Sequence, residues 1–553
     1  MAKELSPLQT ERLKYKPKLP EALKAKPKKL GAKKGKATRS VADQAAIKAL
    51  FPHTYGQPEV TFAEGKAGLN QEPIKVGVVL SGGQAPGGHN VVSGIFDGLQ
   101  ALNPKNKLIG FLGGPGGIVD NKILELSAKV VDAYRNTGGF DIIGSGRTKL
   151  ETKEQFDACA ANMKKLGISS LVVVGGDDSN TNAAVLAEYF ATNGFGINVI
   201  GVPKTIDGDL KNGAIEISFG FDTATKTYAE LIGNVERDCL SAKKYWHFIK
   251  LMGRSASHIA LECGLKTQPN ITLVSEEVEA KKQTLAQITE EIAMVVAERA
   301  AQGKNYGIIL IPEGLVEFIP EIKALIAEVN ELLSHEEATF NSLQGDQARI
   351  DFVQSKLSAL SKMAFASLPK GIQAQLLAER DPHGNVQVSR IETEKLLAET
   401  VGEKIAAWKK EGKSKAKFSP IGHFFGYEGR CAFPSNFDAD YCYALGFNAA
   451  FLVGAGLTGY LSSVQKLTKP AKQWVCGGTP LTSMMNVERR HGADKPVIRK
   501  ALVELEGKPF KALAKKRVEW AKEDAYLFPG AIQYWGPTEV ADVVTETLKL
   551  ESK

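Results

Sequence analysis

The chain has 553 residues, an apolar and charged make-up ordinary for a folded water-soluble protein, and a formal net charge of +8. No apolar run approaches the ~18 residues of a membrane span, and no secretory leader pattern is visible. The six cysteines are scattered without a CxxC pair, which argues against a zinc site or a disulfide framework and for a reducing, cytoplasmic setting.

Residues 1–70 read as a basic N-terminal extension. Its first 50 residues hold 14 Lys and Arg against 4 Asp and Glu, a balance of +10 that leaves the rest of the chain at −2. The lysine run from Lys24 to Lys36 lacks the aromatics that would stack on bases, so a solvated arm is expected and no nucleic-acid partner. Ile74–Leu80 then predicts a buried strand. It runs into the glycine-rich stretch from Ser81 to Asn90 and a helical pattern over 91–102. Strand, glycine-rich loop and helix is a phosphate-binding build, because glycines let N–H groups approach an anion and the helix N-terminus adds its dipole. The spacing is neither a P-loop nor GxGxxG. A purely structural turn is the alternative.

Leu108–Leu112 predicts a second strand, and the loop from Gly138 ends in Arg147, a cation suited to phosphate. Ser169–Val174 predicts a strand ending in Gly-Gly-Asp177-Asp178, with a helix from about residue 181. Adjacent carboxylates repel, so the pair suits a site holding a divalent cation or a lysine; an N-cap role for one of them is the plain alternative. Ile197–Val202 predicts a strand that Pro203 stops, followed by Lys204-Thr205-Ile206-Asp207-Gly208-Asp209. Alone, this stretch reads equally as a surface turn or as a catalytic loop beyond a parallel strand.

Further strands are expected at 245–251, ending in Met252-Gly253-Arg254; at 271–274, ending in Ser275-Glu276-Glu277; and at 306–311, ending in Pro312-Glu313-Gly314. The alternation with helices implies a mostly parallel α/β sheet whose strand ends share one edge. Residues 320–410 read as helical. A glycine- and aromatic-rich stretch then leads to Tyr427-Glu428-Gly429-Arg430, and the basic cluster from Glu488 to His491 reads as a solvated face, with an interface or a second anion site as the alternatives.

The Ser81–Asn90 loop, Gly175-Gly-Asp-Asp-Ser179, Pro203–Asp209, Met252-Gly-Arg254 and Tyr427-Glu-Gly-Arg430 stand in the order and spacing of the phosphofructokinases. The chain resembles their long pyrophosphate-dependent form over roughly residues 70–500. The resemblance implies an α/β fold of two parallel-sheet domains facing a shared cleft, plus a helical insertion. The expected divisions are 71–240 for the phosphoryl donor, 241–315 with 415–500 for the sugar phosphate, 316–414 for the insertion and 501–553 as a C-terminal helical segment.

It further implies reversible phosphoryl transfer from pyrophosphate to the 1-hydroxyl of fructose 6-phosphate, with Mg²⁺ as cofactor, in glycolysis or gluconeogenesis. ATP-using members have glycine where Asp178 and Lys204 stand. A carboxylate there repels an α-phosphate, and the lysine supplies charge to pyrophosphate. By the resemblance, Gly82 and Gly83 hold pyrophosphate with Arg147. Asp177 holds the metal, Asp207 is the general base, and Thr205 and Asp209 position the loop. Arg254 and Arg430 grip the sugar phosphate in a pocket shaped by Ile206, Met252, Gly253, Tyr427, Glu428 and Gly429. Glu276 or Glu313 contacts the sugar.

Two positions depart from the ATP enzymes. Lys244-Tyr245 stands where they have an arginine reaching in from a neighbouring subunit, which implies a homodimer or larger oligomer. Tyr427 replaces a histidine. The rival readings are a catalytically weak regulatory subunit of the same family, an ATP-dependent sugar-phosphate kinase, and a binding protein acting through the basic arm.

Overall fold

The computed structural model describes residues 4–65, 68–378, 386–490 and 493–530. The chain divides into two units: residues up to Ala224 with Tyr427–Ala501, and Thr225–Gly426 with the described residues from Leu502 onward. In chain order the first unit supplies β1 (Leu30–Ala37), β2 (Pro58–Glu64), β3 (Lys75–Leu80), β4 (Lys107–Phe111), β5 (Ile123–Glu125), β6 (Ile168–Gly175) and β7 (Asn198–Pro203). The second unit supplies β8 (Tyr245–Leu251), β9 (Ile271–Thr272), β10 (Tyr306–Pro312) and β11 (Pro420–Phe425). The chain then returns to the first unit with β12 (Tyr460–Gln465), β13 (Val475–Pro480), β14 (Met485–Arg490) and β15 (Ala493–Ile498).

The first unit is built on a nine-stranded sheet of order β1-β2-β13-β12-β7-β6-β3-β4-β5. Its middle, from β12 to β4, is parallel, and its apolar runs are buried on both faces. Both flanks are antiparallel, so the sheet is mixed rather than mostly parallel. The second unit holds a four-stranded, wholly parallel sheet of order β11-β8-β10-β9. Beside it, Pro320–His335, Asp346–Lys356 and Thr393–Lys410 are helices of the 320–410 stretch; they share one apolar core with β8 and β10. The helix Lys508–Lys522 also packs in this unit, where Arg299 donates to Asp524 Oδ1 at 2.7 Å. The expected C-terminal segment beyond Gly530 lies outside the described residues.

Two boundaries differ from expectation. The stretch 427–500 does not join the second unit. The helix Asn436–Gly454 is mostly apolar and buried on nearly every face from Asp438 onward, so it needs cover all round. It finds cover against Gly88–Leu102, where glycines on both helices let the backbones meet: a Cβ at Gly94 would strike Tyr443 O, and one at Gly446 would strike Val91 O. Asn448, mid-helix, donates to Ser462 Oγ (2.8 Å) and Gly477 O (2.6 Å), joining the helix to β12 and β13. The basic extension is likewise not a free arm. β1 and β2 form one edge of the large sheet, Arg12 is buried and bonded to Asn436 Oδ1 at 2.6 Å, and the Tyr15 hydroxyl donates to Asp440 at 2.9 Å. Lys33, Lys34 and Lys36 instead arm an outer strand, where charge discourages edge-to-edge pairing. Among the described residues, no helix is long and apolar enough to cross a membrane.

The close helix crossing yields a paired expectation. Gly446→Val overpacks it and lowers stability by about 1–3 kcal/mol. Gly371→Ala, in open space within the helix Lys370–Leu376, is neutral or stabilises by about 0.5–1 kcal/mol. Chemical denaturation of the two variants checks both.

Candidate active site

In the first unit, strand register sets the site. Leu80 of β3 lies opposite Val174 of β6, Val174 opposite Val202 of β7, and Gly175 opposite Pro203. The loops from Ser81, Gly176 and Lys204 therefore leave the sheet at one level. They are cross-tied: Ser179 Oγ donates to Ser81 Oγ at 2.8 Å, Lys204 N–H donates to Gly175 O at 3.0 Å, and Asn180 Nδ2 donates to Gly175 O at 2.5 Å and to Val202 O at 3.4 Å. Asp177 and Asp178 do not precede their helix but open it, over Asp177–Thr192 with Gly176 as the N-cap residue. The helix dipole favours acids in this first turn by about 0.3–1 kcal/mol each, and the N-cap position itself is taken by Gly176 rather than by either aspartate.

Gly82 has a φ of +84°, and a Cβ there would stand 3.2 Å from Lys204 Nζ. Its N–H donates to Gly146 O at 2.9 Å, so this amide is committed to the loop that carries Arg147 and not to a ligand. Lys204 is buried, and its ammonium donates to Gly83 O at 2.7 Å. Burial, and then the Arg430 guanidinium, push Lys204 down to about 8, while Asp207 and Asp177 pull the other way and exposed Arg147 adds a smaller downward push. Arg430 lies over Gly83 so closely that a Cβ at that glycine would collide with it. Asp209 is buried too, and burial followed by the charges of Asp207 and Asp177 raises it to about 7, with Lys500 opposing.

The loop between these acids is held by its own side chains. Thr205 Oγ1 accepts from Asp207 N at 3.0 Å, Ser218 Oγ donates to Thr205 O at 2.9 Å, and Ile206 is buried beneath. Such oxygen donors suit a hard divalent cation. Mg²⁺ takes one or two carboxylates, keeps water and shares substrate phosphates, and a divalent cation relieves the repulsion from Asp207 and Asp177 that adds to burial in raising Asp209.

In the second unit, Met252 is buried, Gly253 has a φ of +128°, and Arg254 is exposed. The Gly253 N–H donates to Glu313 Oε2 at 2.9 Å, so the carboxylate at the end of β10 braces the turn that carries Arg254. Glu276 does something else. It sits in the first turn of the helix Ser275–Lys281, not in a strand-end loop, and its Oε1 accepts from Ser257 N (3.1 Å) and Val503 N (3.0 Å). Lys244 is exposed, 5.3 Å over the Tyr245 ring. Tyr427, Glu428, Gly429 and Arg430 form a short helix of the first unit, with Tyr427 exposed. Arg430 thus belongs with Gly83 and Lys204, whereas Arg254 belongs to the second unit.

Residues 75–350 match the family model described as phosphofructokinase. The chain is 56% identical to the pyrophosphate–fructose 6-phosphate 1-phosphotransferase of Treponema pallidum, covering 99% of this chain and 97% of that one. It is 55% identical to the protein of that name from Porphyromonas gingivalis, covering 99% of both. The chain belongs to the phosphofructokinase family. A crystal structure of the pyrophosphate-dependent phosphofructokinase from Nitrosospira multiformis shares the fold, with a TM-score of 0.52 at 16% identity over 82% of this chain and 93% of that one.

Two residues of this phosphofructokinase's site carry no motif that sequence reading could use. Lys500 places Nζ 3.7 Å from Asp177 Oδ2. Asp438, buried on the helix Asn436–Gly454, accepts from Gly220 N (3.2 Å), Thr223 N (2.9 Å) and Thr223 Oγ1 (2.5 Å). It thereby caps the helix Phe221–Ala242 from outside and fixes Phe219, whose N–H donates to Pro203 O at 3.2 Å. Only an acid near the start of a helix hints at this in sequence. Asp438→Ala is expected to loosen the cap by about 1–2 kcal/mol, read as faster amide hydrogen exchange over Phe219–Thr223.

Proposed function

We propose that this protein reversibly transfers a phosphoryl group from pyrophosphate to the 1-hydroxyl of fructose 6-phosphate, giving fructose 1,6-bisphosphate and phosphate. The names borne by its near full-length relatives support the reaction. The arrangement that supports the donor is a buried Lys204 facing the Ser81–Gly83 loop, with Asp177 and Asp178 on the adjoining strand end.

In this reading Asp207 takes the proton of the sugar 1-hydroxyl as that oxygen attacks the terminal phosphorus. The new O–P bond forms as the bridging O–P bond breaks, and the bridging oxygen leaves with its electron pair on phosphate. Phosphoryl transfer asks mainly for positioning and charge stabilisation. Lys204, Arg147 and Arg430 offer cations to the donor. Asp177, with Asp209 behind it, would hold Mg²⁺, which when bound neutralises charge on the phosphoryl oxygens. Arg254, Lys244 and Tyr245 serve the sugar phosphate, the last two reaching a neighbouring subunit's site in a homodimer. Glu276 and Glu313 are both candidates for the sugar contact, and each also braces backbone amides. Six free cysteines fit a cytoplasmic enzyme.

Asp178 excludes ATP in this account. A carboxylate close to where an α-phosphate would lie costs several kcal/mol at low effective dielectric, by order of magnitude. Purified protein with fructose 6-phosphate and Mg²⁺ is expected to turn over with pyrophosphate and not with ATP; turnover with ATP alone overturns the donor assignment. Asp207→Ala is expected to cut kcat by about 10²–10⁴-fold while sugar-phosphate binding persists. The double variant Asp178→Gly with Lys204→Gly is expected to lose pyrophosphate use and admit ATP. An unchanged donor preference, measured as the ratio of the two kcat/KM values, removes both residues from the selection.

A further inference from the structure

The β14–β15 hairpin stands apart from both main sheets, and its exit strand runs to the donor edge of the first unit. Three backbone bonds clamp that exit. Ile498 N–H donates to Thr181 Oγ1 at 2.9 Å, in the first turns of the helix that Asp177 opens. Arg499 N–H donates to Met484 O at 2.9 Å. Ala501 N–H donates to Asp209 O at 2.7 Å. Met485 and Ile498 are buried in the same core as β6 and β7, so the base of the hairpin is anchored by packing as well.

Lys500 lies between two of these clamps. Ile498, two residues before it, is tied to the Asp177 helix, Arg499 to Met484 O, and Ala501 after it to the Asp209 carbonyl, and its ammonium is 3.7 Å from Asp177 Oδ2. That spacing is an ion pair looser than the 2.7–2.9 Å of a tight charge-assisted hydrogen bond. The side chain keeps 30% of its surface open to solvent, while the Asp177 side chain keeps 19%. Lys204, by contrast, is sealed in and already donates to Gly83 O. Lys204 is thus fixed, whereas the Lys500 side chain stays partly open to solvent beside Asp177.

We propose that Lys500 is a donor-binding residue: its ammonium balances Asp177 in the free enzyme and bonds a phosphate oxygen of pyrophosphate when the donor is bound. The inference rests on pyrophosphate being the donor at this strand edge. It adds a phosphate contact from a part of the chain remote from every glycine-rich loop. The hairpin is then the device that delivers it.

The test uses the full-length protein with Mg²⁺ and pyrophosphate. Lys500→Met keeps the length and apolar stem of the side chain and removes the charge. It is expected to raise both the KM and the calorimetric Kd for pyrophosphate about 10- to 100-fold, the worth of a charged hydrogen bond. The KM for fructose 6-phosphate and the melting temperature should hold, and Lys500→Arg should recover much of the pyrophosphate affinity. A Lys500→Met enzyme with pyrophosphate KM and Kd within twofold of the parent overturns the proposal while leaving the donor assignment intact. A parent that neither binds nor uses pyrophosphate overturns both. Should the methionine variant fail to fold, acetylation of the unaltered protein decides: pyrophosphate with Mg²⁺ should protect Lys500 from acetic anhydride, and equal labelling with and without it overturns the role.

Discussion

Carboxylates crowd one end of the parallel middle of a mixed sheet, and the arrangement stands because cations are placed among them. Asp177, Asp207 and Asp209 leave neighbouring strand ends, close enough that the first two help lift the third to about 7. Lys204 is the counterweight. Burying an ammonium is costly unless partners repay the lost hydration, and here a carbonyl bond at 2.7 Å and two nearby acids do so. The same burial leaves Lys204 pushed down to about 8, a cation held ready rather than one neutralised by a tight ion pair.

That balance depends on backbone order. Pairing of β3, β6 and β7 in register fixes the level of the three loops, and the ties from Ser179 and Asn180 keep them there. Asp438 performs a similar service one step further out. It holds the start of the helix Phe221–Ala242, and that helix start holds Pro203 through Phe219. The acids and cations thus sit on a frame whose supports come from residues more than 200 positions away in sequence.

Much of this was legible in the chain itself. Largely apolar runs announced β3, β6, β7, β8 and β10, because strands buried on both faces show little polar alternation. Residue types at the strand ends marked the edge where chemistry gathers. Less legible were the flanks. β12 and β13 are ordinary short strands, and nothing in their composition says which sheet edge they will extend; hydrogen bonds from Asn448 and the glycine-lined helix crossing settle that. The lysine-rich β1 reads as a solvated arm because its charge is conspicuous, while its ladder with β2 uses backbone groups that carry no side-chain signal. Glu276 and Glu313 looked equivalent as acids after strands. They differ because one faces the Gly253 amide and the other the amides of Ser257 and Val503.

The sequence by itself determined the order of strands and loops, the family, and the chemical character of the donor edge, since each rests on local pattern: apolar runs, glycine spacing and adjacent charges. Tertiary structure alone decided which side chains meet. It seated Arg430 over Gly83, committed the Gly82 amide to Gly146, split Tyr427–Arg430 from Met252–Arg254 between units, and brought Lys500 to Asp177. The reason is physical. Local pattern sets what a segment is, but the partner of a buried charge is chosen by sheet register and helix packing across the whole unit, and those leave no mark at any one position in the chain.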